Sequence, residues 1–117
     1  KENILDHYKN PQNKYKPASF TVQHRETNPL CGDEVTFFLT IDENKICSAC
    51  FLGKGCAISQ ASASMLTEKL KNLTLPEAKQ LTKEDILEML GIPISYVRLK
   101  CALLSLKTAM KGMEKYP

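Results

Sequence analysis

No apolar run in this chain approaches the length of a membrane span, and no stretch has the pattern of a secretory signal. Charge of one sign is not blocked anywhere. The lysines are scattered and the formal net charge is only +3, which argues against both a nucleic-acid partner and a membrane-surface partner. No glycine loop suited to cradling phosphate is present, and no Ser/His/Asp pattern has supporting context. Internal repeats, low-complexity tracts and interdomain linkers are missing too. Apolar content and charge are those of an ordinary globular protein, so residues 1–117 are expected to form a single domain with one modest core.

Cysteine is the informative residue. The chain has five, an odd number, so disulfides within it cannot use them all. With no secretion signal they read as free thiols or metal ligands in a reducing cytoplasm.

The segment 1–17 contains "ILDHYKNPQNKYKP", a short helical or turn stretch cut off by Pro11 and Pro17, and could form a mobile N-terminal arm. Residues 18–53 read as β. Val35, Phe37, Leu39 and Ile41 alternate with Thr36, Thr40 and Asp42, the period-2 pattern of a half-buried strand. "DENK" (42–45) makes a tight turn, "ICSACFL" (46–52) returns as a second strand, and "SFTVQ" (19–23) supplies a third. The meander is expected to leave one polar face to water.

From residue 56 the period becomes helical. "CAISQASASMLTEKLKN" places Ile58, Ala61, Ser62, Met65 and Leu66 on one stripe. "TLPE" (74–77) is a capping box, with Thr74 as N-cap and Glu77 reaching back. In "TKEDILEMLG", Thr82 caps, acidic residues fill the first turn, and Gly91 ends the helix before Pro93. A last helix within 97–114 carries Leu99, Ala102, Leu103, Leu106, Met110 and Met113. Helices covering one face of the sheet make a two-layer α+β domain.

Cys31 precedes a strand in "NPLCGDE", Cys56 follows "GKG" and begins a helix, and Cys101 lies in or near the first turn of the last helix. Element ends are where functional groups collect on a rigid frame. A helix N-terminus favours thiolate, which suits Cys56 and Cys101. Taken alone, each thiol reads first as a small buried hydrophobe. Three at element ends, with Asp33 beside one, also allow a shared metal site. Cys47 and Cys50 form a CxxC, yet residues three apart on a strand point to opposite faces, so these two are not expected to share an ion. His7 and His24, the latter expected at a strand end, are candidates by residue type only and are expected to be surface or locally bonded.

At "CGDE", "GKGCAISQASASMLTE" and "RLKCALL", and in the opening "ILDHYKNPQN", the sequence resembles the IscU/NifU/SufU family of iron–sulfur cluster assembly proteins. The resemblance covers nearly the whole chain in order. It implies a three-stranded antiparallel sheet covered by about four to five helices, in agreement with the pattern above. It also implies metal ligands at Cys31, Asp33, Cys56 and Cys101, with the three cysteines holding a transient [2Fe–2S] cluster. Cys101 is then the candidate acceptor of persulfide sulfur from a cysteine desulfurase, and apoproteins are the acceptors of the cluster. Lys100 stands where IscU-type members carry histidine, as in SufU-type members, and could favour thiolate at Cys101 or simply be solvated. The insertion of the SufU type ahead of the last helix is absent. "ISYVRLKC" replaces the IscU-type proline pair, which argues against dependence on a dedicated Hsp70-type chaperone.

Three functions follow as alternatives. The first is a scaffold that accepts sulfur, builds a cluster and passes it on. The second is a SufU-type relay in which Zn²⁺ sits on the same residues and a cysteine accepts sulfur. The third is a structural zinc module, against which Asp33 counts, because structural zinc is usually closed by Cys and His alone.

Overall fold

β2 (Asp33–Asp42) is the middle strand of the sheet, flanked antiparallel by β1 (Val22–Asn28) and β3 (Lys45–Lys54). The computed structural model describes residues 2–116. Val35, Phe37, Leu39 and Ile41 are buried in the core with Ile46, Ala49 and Phe51 of β3, as the alternation requires. Glu43 and Asn44 form the β2–β3 turn with φ of 51° and 62°, the left-handed pair that suits a twisted hairpin.

The first strand lies further along the chain than residues 19–23. Its polar run is held by pairing with β2, from Val22 opposite Leu39 to Asn28 opposite Asp33, and not by a hydrophobic pattern of its own. His24 is therefore inside the strand and not at its end. The second face of the sheet is also less open than expected. Phe38 is buried there, edge-on to Phe20 with ring centroids 5.2 Å apart, so the chain ahead of β1 covers it.

The N-terminal segment is laid against α2 (Ala57–Leu70); Lys1 lies outside the described residues. Ile4 of α1 (Glu2–Lys9) is buried. The Ser64 hydroxyl is 2.7 Å from His7 Nδ1 and accepts the Gln12 N–H at 2.7 Å, while Asn13 Nδ2 donates to Thr67 Oγ1 at 3.0 Å. With α1 and α5 (Leu99–Glu114) packed on it and the sheet beneath, α2 is buried almost all round, well beyond the expected stripe. Its alanines and serines allow that close approach. Ser62 Oγ lies 2.7 Å from Ser105 Oγ and donates to the Ala102 carbonyl at 2.9 Å, so the buried hydroxyl is satisfied.

α3 (Leu75–Lys79) and α4 (Lys83–Leu90) both open on complete capping boxes, Thr74 with Glu77 and Thr82 with Asp85. Gly91, at φ 74°, ends α4. A short 3-10 turn (Tyr96–Arg98) leads into α5. The buried face of α5 carries Cys101, Ala102, Leu104, Ser105, Thr108, Ala109, Gly112 and Met113. Leu99 and Leu103, expected in the core stripe, are left only half-buried. The reason is distance. A Cβ on Gly112 would already stand 3.5 Å from His24 Cβ, so small residues must face β1 there, and Leu99 and Leu103 lie at the margin while Leu104 stays buried. No helix among the described residues is long and apolar enough to cross a membrane.

Candidate metal centre

The β1–β2 turn begins the site. The Asn28 carbonyl accepts the N–H groups of Cys31 at 3.1 Å and Gly32 at 2.9 Å, and Gly32 takes φ 71° to close the turn. Cys31 is thereby exposed near the tip, and Asp33, the first residue of β2, turns inward to 1% exposure.

The β3–α2 junction supplies the next part. Gly55 adopts φ 134°, and a Cβ there would stand 2.2 Å from Asp33 Oδ1. That close approach lets the Cys56 N–H donate to Asp33 Oδ1 at 2.8 Å. Asp33 thus serves the orphan amide at the start of α2, a favourable place for a carboxylate. Cys56, the N-cap, makes no side-chain cap bond of its own, and its Sγ lies 3.8 Å from Asp33 Oδ2.

α5 brings the last thiol. Cys101, in the first turn, is fully buried with its Sγ 3.3 Å from Cys31 Sγ and 3.8 Å from Asn28 Nδ2. Ligand atoms of Cys31, Asp33 and Cys101 all lie within 4.8 Å of one another. Cys56 stands just outside that group, joined to it through Asp33. Burial pushes the Cys101 thiol well above its ordinary range, helped by hydrogen bonds to Asp33 and Cys31 and by the negative charge of Cys56 and Asp33. Negative and potentially negative groups packed without a cation suit a metal, which reverses the sign of that repulsion. Thiolates with one carboxylate fit Zn²⁺ or iron–sulfur chemistry.

Other sequence candidates lie elsewhere. Lys100 is exposed and lines a groove beside the end of β1, since consecutive helix residues diverge. His7 bonds Ser64, and His24 Nε2 lies 2.5 Å from Glu26 Oε2, so both histidines are locally bonded. Asn28 was not singled out by sequence reasoning. Its only signal is the Asn-Pro pair of a turn.

The CxxC is separated by a bulge. Thr40 pairs with Ser48 and Ile41 with Ile46, so Cys47 is the extra residue. It is exposed, donating to the Lys45 carbonyl at 3.7 Å, whereas Cys50 is buried beside the Tyr15 hydroxyl. The bulge also breaks the expected grouping of Cys47 with Ala49 and Phe51 on one face. The double variant Cys47→Ser, Cys50→Ala is expected to keep its full metal content by elemental analysis. Loss of one metal equivalent would show that this pair ligates.

The NifU-like N terminal domain family matches residues 1–117. The chain is 34% identical to the zinc-dependent sulfurtransferase SufU of Bacillus subtilis, over 96% of this chain and 87% of that protein. It is 30% identical to the iron–sulfur cluster assembly scaffold protein IscU of Thermotoga maritima, over 97% and 92%. Among solved structures, a proposed iron–sulfur cluster assembly scaffold protein for the SUF system from Fervidobacterium islandicum AW-1 superposes with a TM-score of 0.79 at 30% identity, covering 97% and 95% of the two chains.

Proposed function

This chain belongs to the NifU-like N-terminal domain family, and from that premise we propose that it is a carrier of iron–sulfur cluster assembly. It accepts sulfur from a cysteine desulfurase, assembles a transient [2Fe–2S] cluster on Cys31, Cys56 and Cys101 with Asp33 as the weak partner, and yields it to acceptor apoproteins. The observation that carries this reading is the convergence of Cys31, Asp33 and Cys101 within 4.8 Å, with Cys56 3.8 Å from Asp33. A hard carboxylate is a poor ligand for iron in a cluster, which suits a protein that must release what it builds.

Cys31 is the exposed thiol of the site, and Cys101 is buried 3.3 Å behind it. The terminal sulfur of the desulfurase persulfide therefore bonds first to Cys31 as the desulfurase thiolate departs. The Cys101 thiolate takes it from there as the Cys31 thiolate departs, and a two-electron reductant from outside the chain converts it to the sulfide of the cluster.

A second reading is favoured by Lys100 and by the likeness to a zinc-dependent sulfurtransferase. Cys31, Asp33, Cys56 and Cys101 would hold Zn²⁺, which would keep the thiols deprotonated at neutral pH. The protein would then relay sulfur without building a cluster.

Anaerobic purification followed by iron, sulfide and zinc analysis separates the two. Stoichiometric iron and sulfide is the expected result, with alkylation during sulfur delivery trapping the added sulfur on Cys31. Tight zinc, no acid-labile sulfide and a persulfide that only accumulates would replace the scaffold by the relay.

A further inference from the structure

The two edges of the sheet are treated unequally. Along β3 the outward edge is covered in part: the Phe51 N–H is taken by the Asn13 carbonyl at 3.0 Å, and the Ile46 N–H and carbonyl by Leu73 and Asn72, both at 2.8 Å. Along β1 the ladder turns the backbone of Gln23, Arg25 and Thr27 away from β2. Among the described residues, the one hydrogen bond found on that edge comes from Lys115 Nζ to the Gln23 carbonyl at 2.7 Å. An open edge is a template for another strand unless something covers it.

Beside this edge α5 overhangs a groove of about 390 Å³. Its floor is apolar, with Pro29 and the half-buried Leu99 and Leu103 beside the buried Leu104. Its rim is cationic, with Lys100 and Lys107. Lys107 is 58% exposed and meets Glu26 at 3.6 Å. Lys111 and Lys115 continue the same helix toward the start of β1. At the other end Asn28 lines the groove and reaches Cys101 Sγ.

We propose that the open edge of β1 and this lysine-rimmed groove dock an extended acidic segment of a partner protein, bound as an added strand with an aliphatic side chain in the groove. Strand addition satisfies the outward groups of Gln23, Arg25 and Thr27. Every second side chain of the added strand then faces α5, so one aliphatic side chain rests on Leu99 and Leu103 while carboxylates two residues before and after it meet Lys100 and Lys107. A second copy of this chain does not fit. Its own edge, "VQHRETN", offers no aliphatic residue to the groove beyond Val22 and brings Arg25 against the lysines. The docked segment ends beside Asn28, so a reactive group on the partner is led to the exposed Cys31.

The test uses the full chain, ¹⁵N-labelled, and needs neither metal nor sulfur, so its failure leaves the proposed function standing. The probes are the peptides Ac-Glu-Thr-Leu-Thr-Glu-NH₂, its lysine counterpart Ac-Lys-Thr-Leu-Thr-Lys-NH₂, and Ac-Glu-Pro-Leu-Pro-Glu-NH₂, which keeps the charge and the leucine but cannot donate along a strand. Saturable shifts with the first peptide are expected at the amides of Gln23, Arg25 and Thr27 and along the first turns of α5, with slowed exchange of those edge amides. A dissociation constant near 1 mM or below is expected. The double variant Lys100→Glu, Lys107→Glu, at exposed positions, should weaken it about tenfold and favour the lysine peptide. No saturable shift overturns the proposal. So does equal binding of the proline peptide, which would reduce the contact to side chains without strand pairing, and so does self-association through β1 that excludes the peptide.

Discussion

Asp33→Ala is expected to lower zinc affinity about 100-fold while leaving the metal-free fold intact. Zinc bound by four protein ligands is worth roughly 10–16 kcal/mol, so one ligand carries about 3 kcal/mol, which is about two decades in affinity. Two effects on the metal-free protein oppose each other. The Cys56 N–H loses an acceptor at 2.8 Å, a charge-assisted bond worth about 1.5–3 kcal/mol. The variant also no longer buries a carboxylate that is 1% exposed among thiols, a burden of several kcal/mol. The second effect is the larger, so without metal the variant should melt no lower than the parent, and zinc should raise its melting temperature less. A cluster assembled on the variant should still form on its thiols but transfer to an acceptor more slowly. The oxygen ligand that an incoming thiolate displaces most easily has gone. Competition titration, melting with and without zinc, and transfer rate read these effects. If none of them moves, Asp33 is a turn residue, and the chemistry belongs to the thiols alone.

Gly55→Ala should cost more than any other single methyl group added near the site. The backbone at φ 134° is strained for any residue with a Cβ, which alone amounts to about 1–3 kcal/mol. The added carbon would also stand 2.2 Å from Asp33 Oδ1 and 2.8 Å from Asp33 Cα, and the latter is backbone that cannot swing aside. The β3–α2 junction must therefore shift, moving Cys56 and Asp33 apart. The expected result is a loss of about 2–4 kcal/mol in denaturant unfolding, of the size seen when strain and overpacking act together. Metal affinity should fall with it. Gly32→Ala is the control, because Gly32 has φ 71° but nothing within 4 Å of its would-be Cβ. That variant should pay only the left-handed backbone strain, about 1–2 kcal/mol. Equal losses in the two variants would show that the Gly55–Asp33 contact is not what holds the junction.

The parts of this protein that the sequence determines are those written in local chemistry. Thr74 with Glu77, and Thr82 with its acidic first turn and Gly91, define α3 and α4, because a cap is a contract among residues three or four apart. The alternation of Val35, Phe37, Leu39 and Ile41 defines the buried face of β2 for the same reason. The positions of Cys31, Cys56 and Cys101 at element ends are equally local, and so is the family pattern they carry. What the tertiary structure decides is everything that depends on a partner far along the chain. β1 is a strand because β2 pairs with it, so "HRETN" carries no apolar signal of its own. Which of α5's leucines enter the core is set by how closely Gly112 approaches His24: Leu104 is buried, and Leu99 and Leu103 lie at the margin. Cys31 is exposed while Cys101 is buried 3.3 Å away, and Asp33 holds the Cys56 amide, because the β1–β2 turn, the β3–α2 junction and the start of α5 meet at one end of the sheet. Sequence spacing cannot express that meeting: the contacts span 23 and 70 residues, and only packing of the whole core brings those backbone segments within bonding distance.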